Sequence, residues 1–253
     1  MIRFARFTPL LVLTALVLVL IAQPGAEPNA YEIFHTAEIR VGVDASYPPF
    51  AVATADDLFG LEIDLARAIG ERIGLPVRFV NLGFDGLFDA LTTDQVDVLI
   101  SALPIDMARI GAVHYTQPYF NAGLVLVSDG TYTTMRDLPD RRLAYEYGST
   151  AESEVRFWLR RIQPFDLLPL ETPDAALEAV RNGDADAALV DAITARLYLR
   201  DRAEWNANYS YVTDTLYALV TRGDRPDVAA RIDAALAELF ADGTVAALLD
   251  RWL

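Results

Sequence analysis

The feature of this sequence that most constrains its fold is an alternation of strand-like and helix-like segments that begins near residue 37. EIRVGVD is an apolar run bounded by polar residues, and EIDLARAIGERIG then places apolar residues at helical spacing. PVRFVN is strand-like again, and residues 84–91 and 96–101 repeat the unit. Strands that alternate with helices form a largely parallel sheet covered by helices. The sequence therefore predicts an α/β fold.

A second alternation of the same kind follows Gly123. Its predicted strands are LVLVS, RRLAYEY, DLLPL, AALV and the segments 209–212 and 216–221. Its predicted helices cover 149–161, the segment from the N-cap Thr172 to Gly183, 192–202 and two stretches near the end of the chain. Two runs of similar size in 253 residues predict two lobes rather than one nine-stranded sheet.

Composition excludes several classes of function. The chain has no cysteine, which excludes disulfides, thiol nucleophiles and thiolate zinc sites. All 21 basic residues are arginine, which excludes a lysine Schiff base and a Walker-type phosphate loop. The net charge of -15 repels nucleic acid and anionic membrane surfaces. His35 and His114 lack the spacing of a metal site, so we expect neither a metal nor a cofactor.

Residues 1–26 have the layout of a signal peptide or an N-terminal anchor. Two arginines precede the apolar run LLVLTALVLVLIA, which is shorter than the roughly 20 residues that a spanning helix needs. The prolines of AQPGAEPNA weaken the cleavage site, so anchoring through residues 10–22 is an alternative to cleavage. Residues 27–36 are interpreted as a linker. Export predicts a periplasmic or extracytoplasmic location.

Candidate site residues are those that follow a predicted strand, because open α/β sheets bind ligands beyond the carboxyl ends of their strands. After the first strand, DASYPPF contains Asp44, Tyr47 and Phe50, and its two prolines stiffen the loop and hold the rings outward. The alternative is that these rings plug the core. After the second strand, Phe84 precedes the predicted N-cap Asp85. If the rings of Tyr47 and Phe84 lie close together, they form the walls of a slot for an apolar or cationic group.

The third strand is followed by SALPIDMAR, which ends in Arg109. A guanidinium group matches a carboxylate in two-point geometry, although a lone arginine is often only a solvated surface cation. In the second run, Ser149 and Thr150 open a helix, where they either bind an anion or simply cap the helix. Asp191 follows the strand AALV and either caps the next helix or pairs with an ammonium group.

Taken in order, these segments resemble the polar amino-acid branch of the periplasmic solute-binding proteins that deliver ligands to ABC importers. The resemblance covers residues 37–253 and rests on seven segments: IRVGVDASYPPF, GLEIDLARAIGERIG, FDGLFDAL, VDVLISALPIDMARIGAVHYTQPYF, YGSTAE, GDADAALVD and AALAELFADGTVAALLDRW. It implies a type II fold with two α/β lobes joined by two hinge strands. Lobe 1 is then residues 37–120 and 216–253, and lobe 2 is residues 124–212.

The resemblance also implies a function and roles for single residues. A monomer captures a small amino acid between closing lobes and passes it to permease subunits in the membrane. Arg109 holds the α-carboxylate with help from Thr150, Asp191 holds the α-ammonium group, and Tyr47 and Phe84 flank the side chain. The pocket is completed by Asp44, by the backbone of Ser101, Ala102 and Leu103, by Ser149 and by Glu146.

Pro104 departs from the family pattern, which usually has Ser or Thr there. Proline offers neither a hydroxyl nor an N–H, so one carboxylate contact is lost or replaced. Asp44 and Glu146 add negative charge, which favours a polar or cationic ligand side chain over an acidic one. If Glu146 instead turns outward, the slot suits apolar or aromatic side chains.

Two other functions are compatible with the same scaffold. The first is an enzyme similar to cyclohexadienyl or arogenate dehydratases, in which Glu146 or Asp191 serves as the general acid. The second is a ligand-sensing domain. No kinase, cyclase or transglycosylase segment follows residue 253, so a sensor is expected only if the N-terminal anchor tethers the chain to a partner.

Overall fold

The computed structural model describes Phe34 and residues 37–253. The predicted signal segment and nearly all of the predicted linker lie outside the described residues. Within the described part of the chain, no helix is long and apolar enough to cross a membrane.

The described chain contains strands and helices in alternation. Its strands are β1 (Ile39–Val43), β2 (Ser46–Tyr47), β3 (Ala51–Ala53), β4 (Leu58–Phe59), β5 (Val77–Asn81), β6 (Val98–Leu99), β7 (Val113–Tyr115), β8 (Phe120–Asn121), β9 (Leu124–Ser128), β10 (Arg142–Glu146), β11 (Asp166–Leu170), β12 (Ala187–Asp191), β13 (Asn208–Tyr211), β14 (Leu216–Tyr217) and β15 (Val220–Arg222). Its α-helices are α1 (Leu61–Ile73), α2 (Leu87–Thr92), α3 (Thr150–Trp158), α4 (Pro173–Arg181), α5 (Ala192–Arg200), α6 (Pro226–Ala241) and α7 (Thr244–Trp252). Short 3₁₀ turns lie at Phe84–Gly86, Met107–Arg109 and Met135–Asp137.

The first large sheet has the strand order β5-β1-β6-β15-β7. β1 is parallel to both β5 and β6, whereas β15 is antiparallel to β6 and β7. Parallel neighbours need a crossover connection, and α1 and α2 supply the helices of these crossovers. The arrangement confirms the β-α-β-α-β run predicted from the sequence.

The second large sheet has the strand order β11-β10-β12-β9-β13. β10 is parallel to β11 and β12, and β9 runs antiparallel between β12 and β13. The register places Glu146 opposite Leu170, so the last residues of β10 and β11 lie side by side. Asp191 ends β12 on the other side of β10. The carboxyl ends of these three strands therefore lie at one edge of the sheet.

A short antiparallel pair, β8 with β14, connects the two large sheets. Tyr217 pairs with Phe120, and Leu216 pairs with Asn121. Because β9 to β13 lie between these two strands in the chain, all strands of the second sheet are inserted into the first unit. We propose the lobe boundaries 37–120 with 216–253, and 124–212, because sheet membership follows the same division.

The start of α1 requires glycine. Gly60 has a φ of +133°, and a Cβ at this position would lie 2.3 Å from the carbonyl oxygen of Phe50. The helix that follows packs an apolar face against α6, α7 and the first sheet. Glu62, in the first turn, is only 1% exposed, although its side chain carries a carboxyl group.

The structure corrects two predictions about the loops of the first unit. Asp85 is not the N-cap of a helix, because it lies inside a 3₁₀ turn and α2 begins at Leu87. Phe50 does not point outward, because its ring packs edge-on against the rings of Phe120 and Tyr217 and is fully buried. The alternative interpretation, in which an aromatic of this loop plugs the core, is therefore correct for Phe50.

Two helices of the second unit are shorter than predicted. α3 ends at Trp158, whose carbonyl accepts a hydrogen bond from the Arg161 N–H at 2.8 Å. α5 ends at Arg200, and the Arg202 N–H bonds to the Leu199 carbonyl at 3.2 Å. These i to i+3 bonds belong to tight turns, which replace the last predicted helical turn in each case.

The predicted cap of α4 gives the first testable prediction. The Thr172 hydroxyl accepts a hydrogen bond from the Ala175 N–H at 3.1 Å, and Pro173 occupies the first helical position. We expect Thr172→Ala to lower the free energy of unfolding by about 1 kcal/mol, because one N–H loses its partner. Thr172→Ser keeps the hydroxyl and is the matched control. Urea denaturation measures both variants, and an unchanged midpoint for Thr172→Ala would contradict the capping role.

Candidate functional site

A cavity of about 340 Å³ lies at the carboxyl ends of β1 and β6. Its lining residues are Asp44, Ser46, Tyr47, Phe84, Ser101, Ala102, Pro104 and Tyr217. Five of them were predicted as site residues from the sequence, namely Asp44, Tyr47, Phe84, Ser101 and Ala102. The structure therefore brings together the candidates that follow three different strands of the first sheet.

Hydrogen bonds fix Asp44 at the floor of this cavity. The Asp44 N–H donates to the Ser101 hydroxyl at 3.0 Å, which ties the loop after β1 to the loop after β6. One oxygen of the Asp44 carboxylate accepts the Ser46 N–H at 3.1 Å. A carboxylate has about four acceptor sites, so Asp44 keeps the capacity to bind a ligand donor.

Two exposed rings form the walls of the cavity. Tyr47 is 45% exposed and Phe84 is 51% exposed, although both are large and largely apolar. The Tyr47 ring stacks on the buried Phe50 ring with 5.4 Å between ring centroids. Phe50 thus supports the Tyr47 ring from inside the core, and Tyr47 lines the cavity.

Tyr217 lines the same cavity and was missed from the sequence. In the sequence Tyr217 belongs to the apolar run LYALV, a pattern that is typical of an ordinary core strand. Burial raises the pKa of Tyr217, and the neighbouring Tyr47 and the carboxyl groups of Glu62 and Asp191 raise it further. Tyr217 therefore stays protonated, and Asp191 of the second sheet lies within electrostatic range of the cavity.

Arg109 does not line the cavity in this structure. It ends a 3₁₀ turn whose N-cap, Asp106, accepts the Ala108 N–H at 2.9 Å. The Arg109 Nε lies 3.3 Å from an Asp106 carboxylate oxygen, and its guanidinium carbon lies 4.0 Å from the centre of the Phe88 ring. The side chain is 49% exposed. Its contacts are with neighbouring surface groups, so its role as a carboxylate anchor stays a prediction.

Leu103 and Pro104 occupy different positions although they are adjacent in the chain. The Leu103 side chain is buried in the core, and its carbonyl accepts the Ala218 N–H at 3.1 Å. Pro104 lines the cavity and forms an isolated β-bridge with Tyr217. Of the predicted backbone segment 101–103, only Ser101 and Ala102 therefore contribute to the lining.

The second sheet carries the remaining candidates at its carboxyl edge. Ser149 caps α3, because its hydroxyl accepts the Ala151 N–H at 3.1 Å and donates to the Glu146 carbonyl at 2.7 Å. Glu146 ends β10 and is half-buried, and Thr150 is the first residue of α3. A wider groove of about 730 Å³ adjoins them, lined by Tyr147, Pro169, Leu170, Glu171 and Ala175.

Asp191 caps α5 with both of its carboxylate oxygens. One oxygen accepts the Thr194 N–H at 2.8 Å, and the other accepts the Thr194 hydroxyl at 2.7 Å. These bonds hold the carboxylate in one orientation at the end of β12. The capping role and the proposed ammonium contact are compatible, because each oxygen retains an acceptor site.

Glu62 is the second residue that sequence reasoning missed. One of its carboxyl oxygens accepts the Ala102 N–H at 2.5 Å and also the Tyr119 hydroxyl. Burial raises the pKa of Glu62 to about 7, while the two hydrogen bonds act in the opposite direction. In the sequence Glu62 is an acidic residue in the first turn of a helix, a common and usually exposed position. No sequence signal distinguishes Glu62 from an exposed acidic residue at such a position.

The comparisons with known proteins agree with this architecture. Residues 39–253 match the family of bacterial extracellular solute-binding proteins, family 3. The chain is 28% identical over 222 residues to ABC transporter arginine-binding protein 1 of Escherichia coli K12, covering 85% of this chain and 90% of that protein.

Solved structures show the same fold. An ancestral cationic amino-acid solute-binding protein, AncCDT-1, is 26% identical with a TM-score of 0.61, covering 87% of this chain and 97% of that one. A second structure of AncCDT-1, described as a precursor of cyclohexadienyl dehydratase, is 27% identical with a TM-score of 0.52 and the same coverage. The unliganded, open L-cystine receptor of Neisseria gonorrhoeae is 22% identical with a TM-score of 0.72, covering 85% and 92%.

These likenesses confirm the two-lobe, type II periplasmic-binding-protein-like fold that the sequence predicts. The match extends over both sheets and both terminal helices of the described chain. The chain belongs to family 3 of the bacterial extracellular solute-binding proteins.

Proposed function

We propose that this protein captures a free amino acid with a cationic side chain outside the cytoplasm and delivers it to the permease subunits of an ABC importer. The observation that carries the proposal is the composition of the cavity: one carboxylate, Asp44, shares it with the exposed rings of Tyr47 and Phe84. None of the described residues that line it is basic. The names of the relatives support the amino-acid class, since the first of them binds arginine.

The chemistry of the cavity favours a guanidinium or ammonium group over an anion. Aromatic faces attract a cation through their negative π-surfaces. A carboxylate forms charge-assisted hydrogen bonds with the same cation, which are about twice as strong as neutral ones. An acidic side chain placed beside Asp44 adds repulsion to its desolvation cost.

The second sheet supplies the partners for the α-amino group. Asp191 is held by Thr194 at the carboxyl edge of that sheet, and Glu146 lies on the neighbouring strand. The described residues that line the cavity of the first sheet all belong to the proposed lobe 1. We therefore propose a hinge motion about the β8 and β14 strands that brings Asp191 and Thr150 over the ligand, with each lobe supplying part of the site.

Ligand preference gives the second prediction. In calorimetric titrations with arginine, glutamine, leucine and glutamate, we expect arginine to bind tightest. Asp44→Asn should weaken arginine binding roughly 10- to 100-fold, the value of a hydrogen bond to a charged group, and should change glutamine binding much less. Glu146→Gln is the matched variant for Asp44→Asn, because it removes the charge of the acidic candidate on the other lobe. Tightest binding of glutamate or leucine would show that the cavity does not select a cation.

Arg109 gives the third prediction. We expect Arg109→Ala to weaken amino-acid binding by about 3–5 kcal/mol, because the ligand carboxylate loses its cation partner. The melting temperature should change little, since the Arg109 side chain is half-exposed and its ion pair is with the exposed Asp106. Arg109→Lys is the control that keeps the charge and removes the planar fork. Near-normal affinity of the alanine variant would rule out the anchor role.

Asp191 gives the fourth prediction. Asp191→Asn keeps an efficient N-cap for α5 and removes only the charge. We expect this substitution to weaken the binding of arginine far more than the binding of 5-guanidinopentanoate. The second ligand has the same side chain and carboxylate but no α-amino group. Isothermal titration of the two ligands measures the difference. Equal losses for both would contradict an ammonium contact at Asp191.

A second candidate function is dehydratase activity on the same scaffold. It is supported by the description of AncCDT-1 as a precursor of cyclohexadienyl dehydratase. Glu146 is the better candidate for the general acid, because both oxygens of Asp191 are already bonded to Thr194. Incubating the protein with prephenate or arogenate and measuring the product absorbance tests for this activity. Product formation that Glu146→Gln abolishes would replace the binding function with an enzymatic one.

A further inference from the structure

Glu62 forms a buried connection behind the ligand cavity. It lies in the first turn of α1 and is 1% exposed. A single carboxyl oxygen receives the Ala102 N–H at 2.5 Å and the Tyr119 hydroxyl. The carboxyl group is thus shared between the loop after β6 and the segment that leads into β8.

The Ala102 bond holds a strained piece of the cavity lining. Ala102 has a φ of +46°, a left-handed conformation that residues other than glycine rarely adopt. Such a backbone persists only where its surroundings hold it. Ala102 follows Ser101, whose hydroxyl accepts the Asp44 N–H, so this turn also positions the carboxylate at the cavity floor.

The Tyr119 bond reaches a second part of the lining. The Tyr119 N–H donates to the Tyr217 carbonyl at 2.9 Å, and the Tyr217 side chain lines the cavity. Tyr119 itself is buried and directly precedes the connecting strand β8. Glu62 therefore contacts two walls of the cavity without being part of its lining.

We propose that Glu62 is a positioning residue whose loss of a proton tightens the cavity wall at Ala102 and raises the affinity for a cationic amino acid. The inference deepens the function proposed above and rests on it. An ionised carboxylate accepts stronger hydrogen bonds than a neutral carboxyl group, so ionisation strengthens the bond from Ala102. A cation in the neighbouring cavity favours the ionised form, and the bound protein therefore holds fewer protons.

The groups around Glu62 are consistent with a titration near neutrality. Burial raises its pKa to about 7, and the opposing groups are the hydroxyl of Tyr119 and the N–H of Ala102. Tyr217, on β14, is the other titratable side chain that interacts with it. No arginine among the described residues forms an ion pair with Glu62.

Two charged residues of α1 have partners near the carboxyl-terminal helices that pack against it. Asp64 of α1 accepts hydrogen bonds from Trp252 and Arg251 of α7. Arg72, at the far end of α1, pairs with Glu238 of α6 and with Asp242. Titration of Glu62 is therefore not masked by a direct ion partner.

Stability and affinity should respond to pH in opposite directions. The pKa of Glu62 is raised in the folded protein, from 4.5 to about 7. Its contribution to stability is therefore fully present below about pH 4.5 and is lost as the pH rises through about 7. Affinity instead rises over the upper part of this range, because the ionised form holds Ala102 more strongly. A purely structural role for Glu62 predicts only the change in stability.

The test is calorimetric titration of the full chain with arginine between about pH 5.5 and about pH 7.5, a range in which the guanidinium and α-ammonium groups of arginine stay largely protonated. We expect the Kd to fall roughly three- to tenfold across this range, with proton release on binding measured in two buffers of different ionisation enthalpy. Glu62→Gln should bind arginine with a flat pH profile. His114→Gln changes a side chain that does not line the cavity, and this control variant should keep the slope.

A second measurement keeps the inference testable without a ligand. In the free protein, the NMR signal of the Ala102 N–H should titrate with Glu62, and Glu62→Gln should abolish this titration. Tyr119→Phe should move the midpoint to higher pH, because the Tyr119 bond lowers the pKa of Glu62.

The outcomes separate the two proposals. The role of Glu62 is overturned if the unmodified protein binds arginine with an affinity that does not change with pH. It is also overturned if Glu62→Gln shows the same dependence of affinity on pH as the unmodified protein. Both outcomes leave the proposed function intact. Absence of binding for every amino acid overturns the proposed function. In that case an Ala102 signal that does not titrate, or that titrates equally in Glu62→Gln, also overturns the link between Glu62 and the cavity wall.

Discussion

The parallel pairing of β1 with β5 and β6, and of β10 with β11 and β12, determines where the candidate residues of this protein lie. Parallel strands end at the same edge of a sheet, so the loops that follow them meet there. In the first sheet this edge collects Asp44, Phe84 and Ser101 around one cavity. In the second sheet it places Glu146 and Asp191 on neighbouring strands. We propose that these two edges are the two halves of one ligand site.

Because parallel strands end at one edge, much of the fold and five of the eight residues that line the cavity could be predicted from the sequence. The alternating segments identify the parallel strands, and the residues directly after them identify the lining. The rule does not say which ring of a loop is buried. Tyr47 and Phe50 belong to the same loop, and only Phe50 meets Phe120 and Tyr217. Those partners are distant in the chain, so the outcome depends on tertiary packing that periodicity does not encode.

The residues that sequence reasoning missed have the same physical cause. Glu62 has the sequence environment of an exposed first-turn acid, but it is buried and accepts hydrogen bonds from Tyr119 and Ala102, which are distant in the chain. The orientation of Arg109 likewise depends on the nearby Phe88 ring and on Asp106. Local patterns predict which residue types follow a strand. They do not predict the long-range contacts that bury a carboxyl group or turn a guanidinium group away from a cavity.

Pro104 shows how the same wall can still accept a ligand carboxylate. It contributes neither an N–H nor a hydroxyl, but its β-bridge places it beside Tyr217, whose protonated hydroxyl is a hydrogen-bond donor. Donors alone leave a carboxylate beside Asp44 without a cation, which is costly in a partly dry cavity. We propose that Arg109 supplies this charge. The exposed contact of Arg109 with Asp106 is worth only about 0–1 kcal/mol, so this ion pair is a small obstacle to the proposed role.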